Sequence, residues 1–415
     1  MKNTVIVTQY VQASNRGREP ERLAMKLAAI RRDPFAFFRG NAALFYDTLR
    51  ADRSLLHSPK VLACGDLHLE NFGSYKADNR LVYFDVSDFD ESCAAPLALD
   101  LVRFAASILV AAKPLKIHEE TATRLVTVFL ENYAAQIQSA KPRWIERSIA
   151  TGPVKDLLQS VKGHHRSDLI ASRTVTKSGK TRFRIDGKKT LALPAQDRAH
   201  AEAILAACAA HQPSPGFFRP IDIARRIAGI GSLGLERYVA LVQGTGKRDG
   251  QYLIDIKFAA PSALAPHAGV AQPRWKSDAT RAASIQRITQ AIPPALLGAV
   301  SVGKRSYLVR ELQPSADRID LATLHRKTAG KAGASVKIEE VVASMASITA
   351  WGHLRTCGRF GAATIDELVD YASRKPWRAR VADSALKAAA LALRQWEEYA
   401  RDFDADLHLS VRPSR

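Results

Sequence analysis

Three features of this 415-residue chain predict an α+β fold. Two short apolar segments, Val61-Leu62-Ala63 and Leu81-Val82-Tyr83-Phe84, flank a polar loop and lead into a long apolar run from about Leu97. A strand-rich region runs from about 223 to 258, with more strands near 297 to 312. Helical spacing returns in the final quarter, most clearly from Ser384 to Phe403.

In chain order, the stretch up to about Arg53 reads as helical, clearest over Asn41 to Leu49. Strand, polar loop, strand and the helix from about Leu97 follow. Residues 118 to 160 continue as helices, with apolar positions at Leu125, Val128, Phe129 and Tyr133. Lys177 to Lys189 is strongly basic, and its alternation and Gly punctuation predict a hairpin. An Ala-rich helix near 196 to 210 ends at Gln212-Pro213-Ser214-Pro215-Gly216, the best internal boundary. Strands, a Pro-containing stretch, further strands and the closing helices complete the chain. No internal repeat or low-complexity tail is visible.

Composition narrows the class. A chain of this length buries a large core and is expected to divide into two lobes or domains. Hydrophobic content of 47% with 25% charged residues is that of a soluble globular protein. The longest apolar run, Ala94 to Ala112, contains Asp100 and Arg103 and is read as a buried helix, not a membrane span. The first eight residues turn polar too soon for a signal peptide. Cys64, Cys93, Cys208 and Cys357 are scattered without metal-type spacing, so a reduced bacterial cytoplasm is the expected location. The net charge of +20 has two readings: an anionic partner such as nucleotide or nucleic acid, or basic residues spread over solvated faces. Oligomeric state is not legible.

The chemistry concentrates between residues 64 and 103. Asp66 and Asn71 lie on a loop leaving the first apolar segment, Asp88 ends the second, and Asp100 opens the long helix. Carboxylates and a carboxamide at strand ends make a compact oxygen-rich site. Magnesium prefers oxygen ligands and takes one or two carboxylates together with substrate phosphates. A further carboxylate beside it can orient a hydroxyl and accept its proton. Phosphoryl transfer is the chemistry this set predicts.

Cys64-Gly65-Asp66-Leu67-His68-Leu69-Glu70-Asn71, then Asp88, then Asp100-Leu101 resembles the catalytic core of kinase-like phosphotransferases, in particular aminoglycoside and choline kinases. The resemblance implies Asp66 as catalytic base, Asn71 and Asp88 as magnesium ligands, and Asp100 as a structural partner of the loop. Cys64 stands where those enzymes usually carry His. More closely, the chain resembles the bacterial domain of unknown function 2252 family. That match rests on Pro34 to Gly40, Gly65 to Gly73, Asp88 to Glu91, Gly229 to Gly234 and Gly352-His353-Leu354-Arg355.

Gly229-Ile230-Gly231-Ser232-Leu233-Gly234 has the GxGxxG spacing of a dinucleotide turn, but a strand pattern, Arg237 to Val242, follows it in place of a helix. A turn then leads to Tyr252-Leu253-Ile254-Asp255-Ile256-Lys257-Phe258. This succession matches the small-lobe plan of a kinase, with Gly229, Gly231, Ser232, Gly234 and Lys257 holding the phosphates of ATP. The plainer alternative is a β-meander with a glycine bulge and a solvated Lys. Kinase order is reversed here, which implies a two-lobed, circularly permuted arrangement with the catalytic lobe first. Its parts are 1–160 as large-lobe core with the catalytic and metal loops, 161–215 as basic hairpin and connector, 216–320 as nucleotide-holding lobe, and 321–415 as helices completing the large lobe. Residues 258 to 310 contain no Glu to pair with Lys257, so either the partner comes from elsewhere, with Glu236 and Glu311 as candidates, or Lys257 is not held in a catalytic pose.

Asp85 and Asp90 flank Asp88 and either is a candidate extra metal ligand, with Asp90 expected on the same side as Asp88 by strand alternation. Arg39 either anchors phosphate or braces the loop against a carboxylate. His68 either touches phosphate or orders the loop. His353 and Arg355 are expected to be structural. The predicted function is ATP- and Mg2+-dependent phosphoryl transfer to a hydroxyl of a small molecule. Nucleotidyl transfer on the same scaffold and a catalytically silent nucleotide-binding protein are the alternatives. Nucleic acid is a partner suggested by charge alone.

Overall fold

The computed structural model describes residues 6–49, 52–210, 214–246, 250–312, 318–328 and 334–405. Four helices open the chain: α1 (Val7–Ser14), α2 (Pro20–Arg32), α3 (Pro34–Gly40) and α4 (Ala42–Leu49). Pro20 and Pro34 start their helices, where a missing N–H costs nothing. Glu19 and Asp33 cap them by accepting backbone N–H bonds from Arg22 (3.2 Å) and Ala36 (2.7 Å).

Strands β1 (Lys60–Ala63), β2 (Phe72–Lys76), β3 (Val82–Val86) and β4 (Cys93–Pro96) come next. β1 pairs with β4 and β2 with β3, both antiparallel, so one hairpin nests inside the outer pair. Helix α5 (Leu97–Leu115) follows, buried over nearly its whole length. Together with α6 (Glu119–Gln138), α12 (Ala334–Thr356) and α14 (Pro376–Asp404), it builds the largest hydrophobic core. The remaining helices are α7 (Gly152–Val161), α8 (Arg166–Arg173), α9 (Ala195–Ala209), α10 (Asp278–Thr289), α11 (Leu321–Thr328) and α13 (Ile365–Ser373).

The other strands are β5 (Thr174–Lys177), β6 (Lys180–Phe183), β7 (Thr190–Leu191), β8 (Pro220–Arg226), β9 (Arg237–Val242), β10 (Tyr252–Phe258), β11 (Gly298–Val302) and β12 (Arg305–Glu311). β5 and β6 form the basic hairpin, turning at Ser178 and Gly179, both with positive φ. The rest make one antiparallel sheet in the order β11-β12-β10-β9-β8-β7. Side chains alternate between its faces. Ile254, Ile256 and Tyr307 fill one apolar core with α9, while Asp255, Lys257 and Arg310 are out of phase with them and reach the opposite side.

The molecule is therefore mixed α+β, and the strands expected near 61–63, 81–84, 223–258 and 297–312 are present. Helix α10 lies in the stretch read from sequence only as Pro-containing. Gln212 and Pro213 of the boundary cluster, and residues 247–249 of the turn after β9, lie outside the described residues. Among those described, no helix is long and apolar enough to cross a membrane.

Candidate active site

The nested pairing decides where the polar loops go. Ala63 stands opposite Cys93 and Phe72 opposite Val86, so loops 64–71 and 87–92 emerge side by side. Asn71 binds them together. Its Nδ2 donates to the carbonyls of Asp66 (3.0 Å) and Asp88 (3.1 Å), and its Oδ1 accepts from the Ser87 hydroxyl (3.0 Å). Cys64 adds a second tie, its thiol donating to the Asp88 carbonyl at 3.3 Å. Burial pushes that thiol well above its usual range, so it stays protonated.

Asp100, fully buried, receives the backbone N–H groups of Cys64 (2.7 Å) and Gly65 (2.8 Å). Behind it stands His353, whose Nε2 lies 3.3 Å from Asp100 and whose Nδ1 meets the Tyr133 hydroxyl at 2.8 Å. Gly65 has φ +81°, and a Cβ there would stand 2.1 Å from the Glu91 carbonyl oxygen. Only glycine fits.

Asp66 Oδ1 accepts from Arg103 Nε (3.1 Å) and Nη2 (2.8 Å). Arg103 is buried, stacked 3.7 Å from the Phe38 ring centroid, and also donates to the Phe38 carbonyl. Burial raises the Asp66 carboxyl above the usual range, against the pull of Arg103. His68 accepts the Glu70 N–H at Nδ1 (3.1 Å), which puts its own proton on Nε2, 3.8 Å from Asp66 Oδ2. Burial, reinforced by Arg39, holds this imidazole neutral. His68 thus orders the loop and faces Asp66 as well. Arg39 pairs with Glu70 at 2.5 Å, while its buried Nε has no hydrogen-bond partner among the described residues.

Lys257, buried on β10, reaches down from the sheet to Asp88, with Nζ 2.9 Å from Oδ2 and 3.2 Å from Oδ1, and it also contacts Asp90 Oδ2. The expected glutamate partners are elsewhere. Glu236, just before β9, pairs with Arg305 and Tyr307, and Glu311, opposite Ile254 on the other face of the sheet from Lys257, pairs with Arg80 and Arg166. Residues 87–92 form a turn and not a strand continuation, yet Asp88 and Asp90 do share a side. Burial favours the protonated form of both carboxyls. At Asp88 the cations Lys257 and Arg310 outweigh it and hold the group ionised far below the usual range. Asp90, crowded by the Asp88 charge as well as buried, is pushed up to about 6.

The glycine loop joins β8 to β9. Gly229 and Gly234 have φ of +70° and +85°. The loop is clamped from α2 and the segment before it: Arg18 Nη1 donates to the carbonyls of Gly231 (2.8 Å) and Leu233 (2.6 Å), and Lys26 Nζ to Gly231 (3.1 Å). Ser232 turns its hydroxyl back to the Ala228 carbonyl at 3.2 Å.

A cavity of about 310 Å³ gathers these groups. Asp66, His68, Asn71, Asp88 and Asp90 line it from the loops, Gly229, Gly231, Ser232 and Lys257 from the sheet, and Arg39 from α3. Asp100 lies behind the loop, and Gly234 stands outside the lining under Arg18. The oxygen donors Asn71 Oδ1, Asp88 and Asp90 suit a magnesium ion that arrives with phosphates, since such sites need few protein ligands. Among the described residues no group of three or more His, Cys, Asp and Glu side chains forms a self-sufficient metal cage.

Arg103, Lys26, Arg18 and Glu91 were not singled out from the sequence. Arg103 carried a signal: a cation one helical turn after Asp100 inside an apolar run. Lys26 carried another, on the Leu23, Leu27, Ile30 stripe of α2. Fold and site define a mixed α+β protein with an acid–base cleft between nested hairpins and an antiparallel sheet. Over residues 18–402 the chain matches the model of the family described as uncharacterized protein conserved in bacteria (DUF2252), and it belongs to that family. No curated protein and no solved structure matches it.

Proposed function

We propose that this cleft transfers a phosphoryl group from ATP to a hydroxyl of a small-molecule acceptor, with magnesium. The observation that carries this reading is the meeting, in one cavity, of Asp66, Asn71 and Asp88 with a glycine turn and a buried Lys far away in sequence. The sheet supports it. Strands β8, β9, β10, β12 and β11 run in that spatial order, with the glycine turn between the first two, Lys257 on the third and α10 between β10 and β11 in the chain. This is consistent with a kinase-like, two-lobed arrangement in which the catalytic lobe comes first in the chain.

Magnesium would supply charge neutralisation at the phosphates, held by Asp88 with Asn71 Oδ1 and Asp90 within reach. Arg103 fixes Asp66 Oδ1, which leaves Oδ2, 3.8 Å from His68 Nε2, to orient the acceptor hydroxyl and take its proton. The transfer balances when that proton passes to Asp66, the acceptor oxygen bonds to phosphorus, and ADP departs with the bridging oxygen. Lys257 and the glycine-turn amides stabilise phosphate charge, and positioning carries most of the rate.

Parallel incubations with magnesium, small-molecule extract and ATP labelled at the α- or the γ-phosphorus test the reading. Transfer of γ-label with release of ADP is expected. Transfer of α-label would assign nucleotidyl transfer. ATP binding with no transfer of either label would leave a silent nucleotide-binding protein.

A further inference from the structure

A second cavity, also about 310 Å³, lies between the sheet and β2 and shares Asp88, Gly229 and Arg318 with the first. Its lining is charged one way: seven Arg and Lys side chains stand against Asp88 and Asp255. Asp255 is already matched, by Arg226 at 2.5 Å and by Arg237 at 2.7 Å. Both arginines are needed there, yet the surplus remains. Arg310 donates to the Ser87 carbonyl at 3.0 Å and so brings its charge next to Asp88.

The far end of the basic stretch contributes to the same lining. Asp186 accepts the N–H groups of Lys188 (2.9 Å) and Lys189 (2.7 Å), which turns that segment toward the cavity. Three donors on lining residues have no partner among the described residues: the Ser74 hydroxyl, Gln286 Nε2 and Arg173 Nε, all buried atoms. Ligand pockets are usually apolar with a few polar groups. Here most lining residues are charged or polar, and a buried donor left unpaired costs free energy unless a ligand accepts from it.

We infer that this second cavity holds a linear chain of phosphates, carried by a nucleoside or inorganic, so that the phosphoryl donor is recognised by charge and not by its base. The inference rests on the phosphotransfer reading of the first cavity and extends it along the donor. The end of the chain lies by Asp66, and the rest passes Asp88 and Gly229 into the cationic lining.

Calorimetry on the full chain with magnesium tests it, using ATP, inorganic tripolyphosphate and adenosine as probes. The expected result is one-to-one binding of tripolyphosphate within about threefold of ATP, and no binding of adenosine. Replacing Lys188 and Lys189 together by Gln should weaken both phosphate ligands about tenfold. Replacing Lys177 and Lys180 by Gln, at the hairpin tip outside both cavities, should change neither. Tripolyphosphate binding without ATP binding would support the cavity with an inorganic source and remove ATP as donor. Tight ATP binding with tripolyphosphate a hundredfold weaker would overturn the inference and leave phosphotransfer standing. Equal weakening by both lysine pairs would also overturn it, since bulk charge would then explain the binding. Failure of both phosphate ligands to bind folded protein would end both readings.

Discussion

The nested hairpins and the sheet face across from them both present charge to one cleft, but they hold it by different means. On the hairpin side, carboxylates are fixed within one strand–loop–helix segment, residues 64–103: Asp100 by two backbone N–H groups, and Asp66 by Arg103, one helical turn after Asp100. On the sheet side, Asp255 is fixed by Arg226 and Arg237, with Arg310 at 3.9 Å, side chains from three other strands. The first arrangement needs one loop to close onto the start of α5. The second exists only after four strands have found their register.

The largest effect is expected at Asp66, the proposed base on the hairpin side. Asp66→Asn should lower kcat by about 10²–10⁴ while ATP affinity is unchanged, the range for losing a general base. In wild type, the raised Asp66 carboxyl should place the acidic limb of the pH–rate profile above the ordinary carboxylate range, because the base must be ionised to work. A limb at the ordinary carboxylate value would argue against Asp66 as the base.

The contrast in support predicts the next two effects. Asp255→Asn leaves buried arginines facing one another and should cost about 3–5 kcal/mol in denaturant unfolding. Asp100→Asn keeps one acceptor for the Cys64 and Gly65 amides and should cost less, about 1–3 kcal/mol. The reverse order would mean that the loop, not the ion-pair lattice, is the more sensitive of the two.

This difference also explains what could be read in the sequence. Asp66, Asn71, Asp88 and Asp100 fall within a stretch of strand, loop and helix whose pattern is local, so their grouping was legible. Lys257 and the glycine turn were legible as a strand-turn-strand motif, but their partner was not. Pairing Lys257 with Asp88 and Asp90 requires the docking of two regions far apart in sequence. The kinase resemblance points to a glutamate instead, and neither Glu236 nor Glu311 meets Lys257. The Arg226, Arg237 and Arg310 cluster was invisible for the same reason: alternation predicts that Asp255 and Lys257 share a face, but not which strands lie beside them. Lys26 and Arg103 were signalled by charge on apolar helix faces, but Arg103 was read only as part of a buried helix and Lys26 not at all.

The smallest effect concerns Glu91, between the two regions. Burial pushes its carboxyl from the usual 4.5 up to about 7, despite a bond accepted from the Ala263 N–H. The folded state thus binds this proton more tightly than the unfolded chain. Its contribution to stability is full below pH 4.5 and is lost as pH rises toward 7. Glu91→Gln should flatten that part of the stability profile, raising Tm at pH 8 relative to wild type more than at pH 4.5. Thermal scans across this range would show it.

Asp88 and Lys257 bring two distant parts of the chain together, in our proposal around the phosphates of a nucleotide. Calorimetric titration of ATP with and without magnesium, on wild type, Asp66→Asn and Asp88→Ala, tests it most directly. Binding that needs magnesium, survives Asp66→Asn and falls at least tenfold in Asp88→Ala is the predicted result. Equal affinity in all three proteins, or no dependence on magnesium, would contradict it.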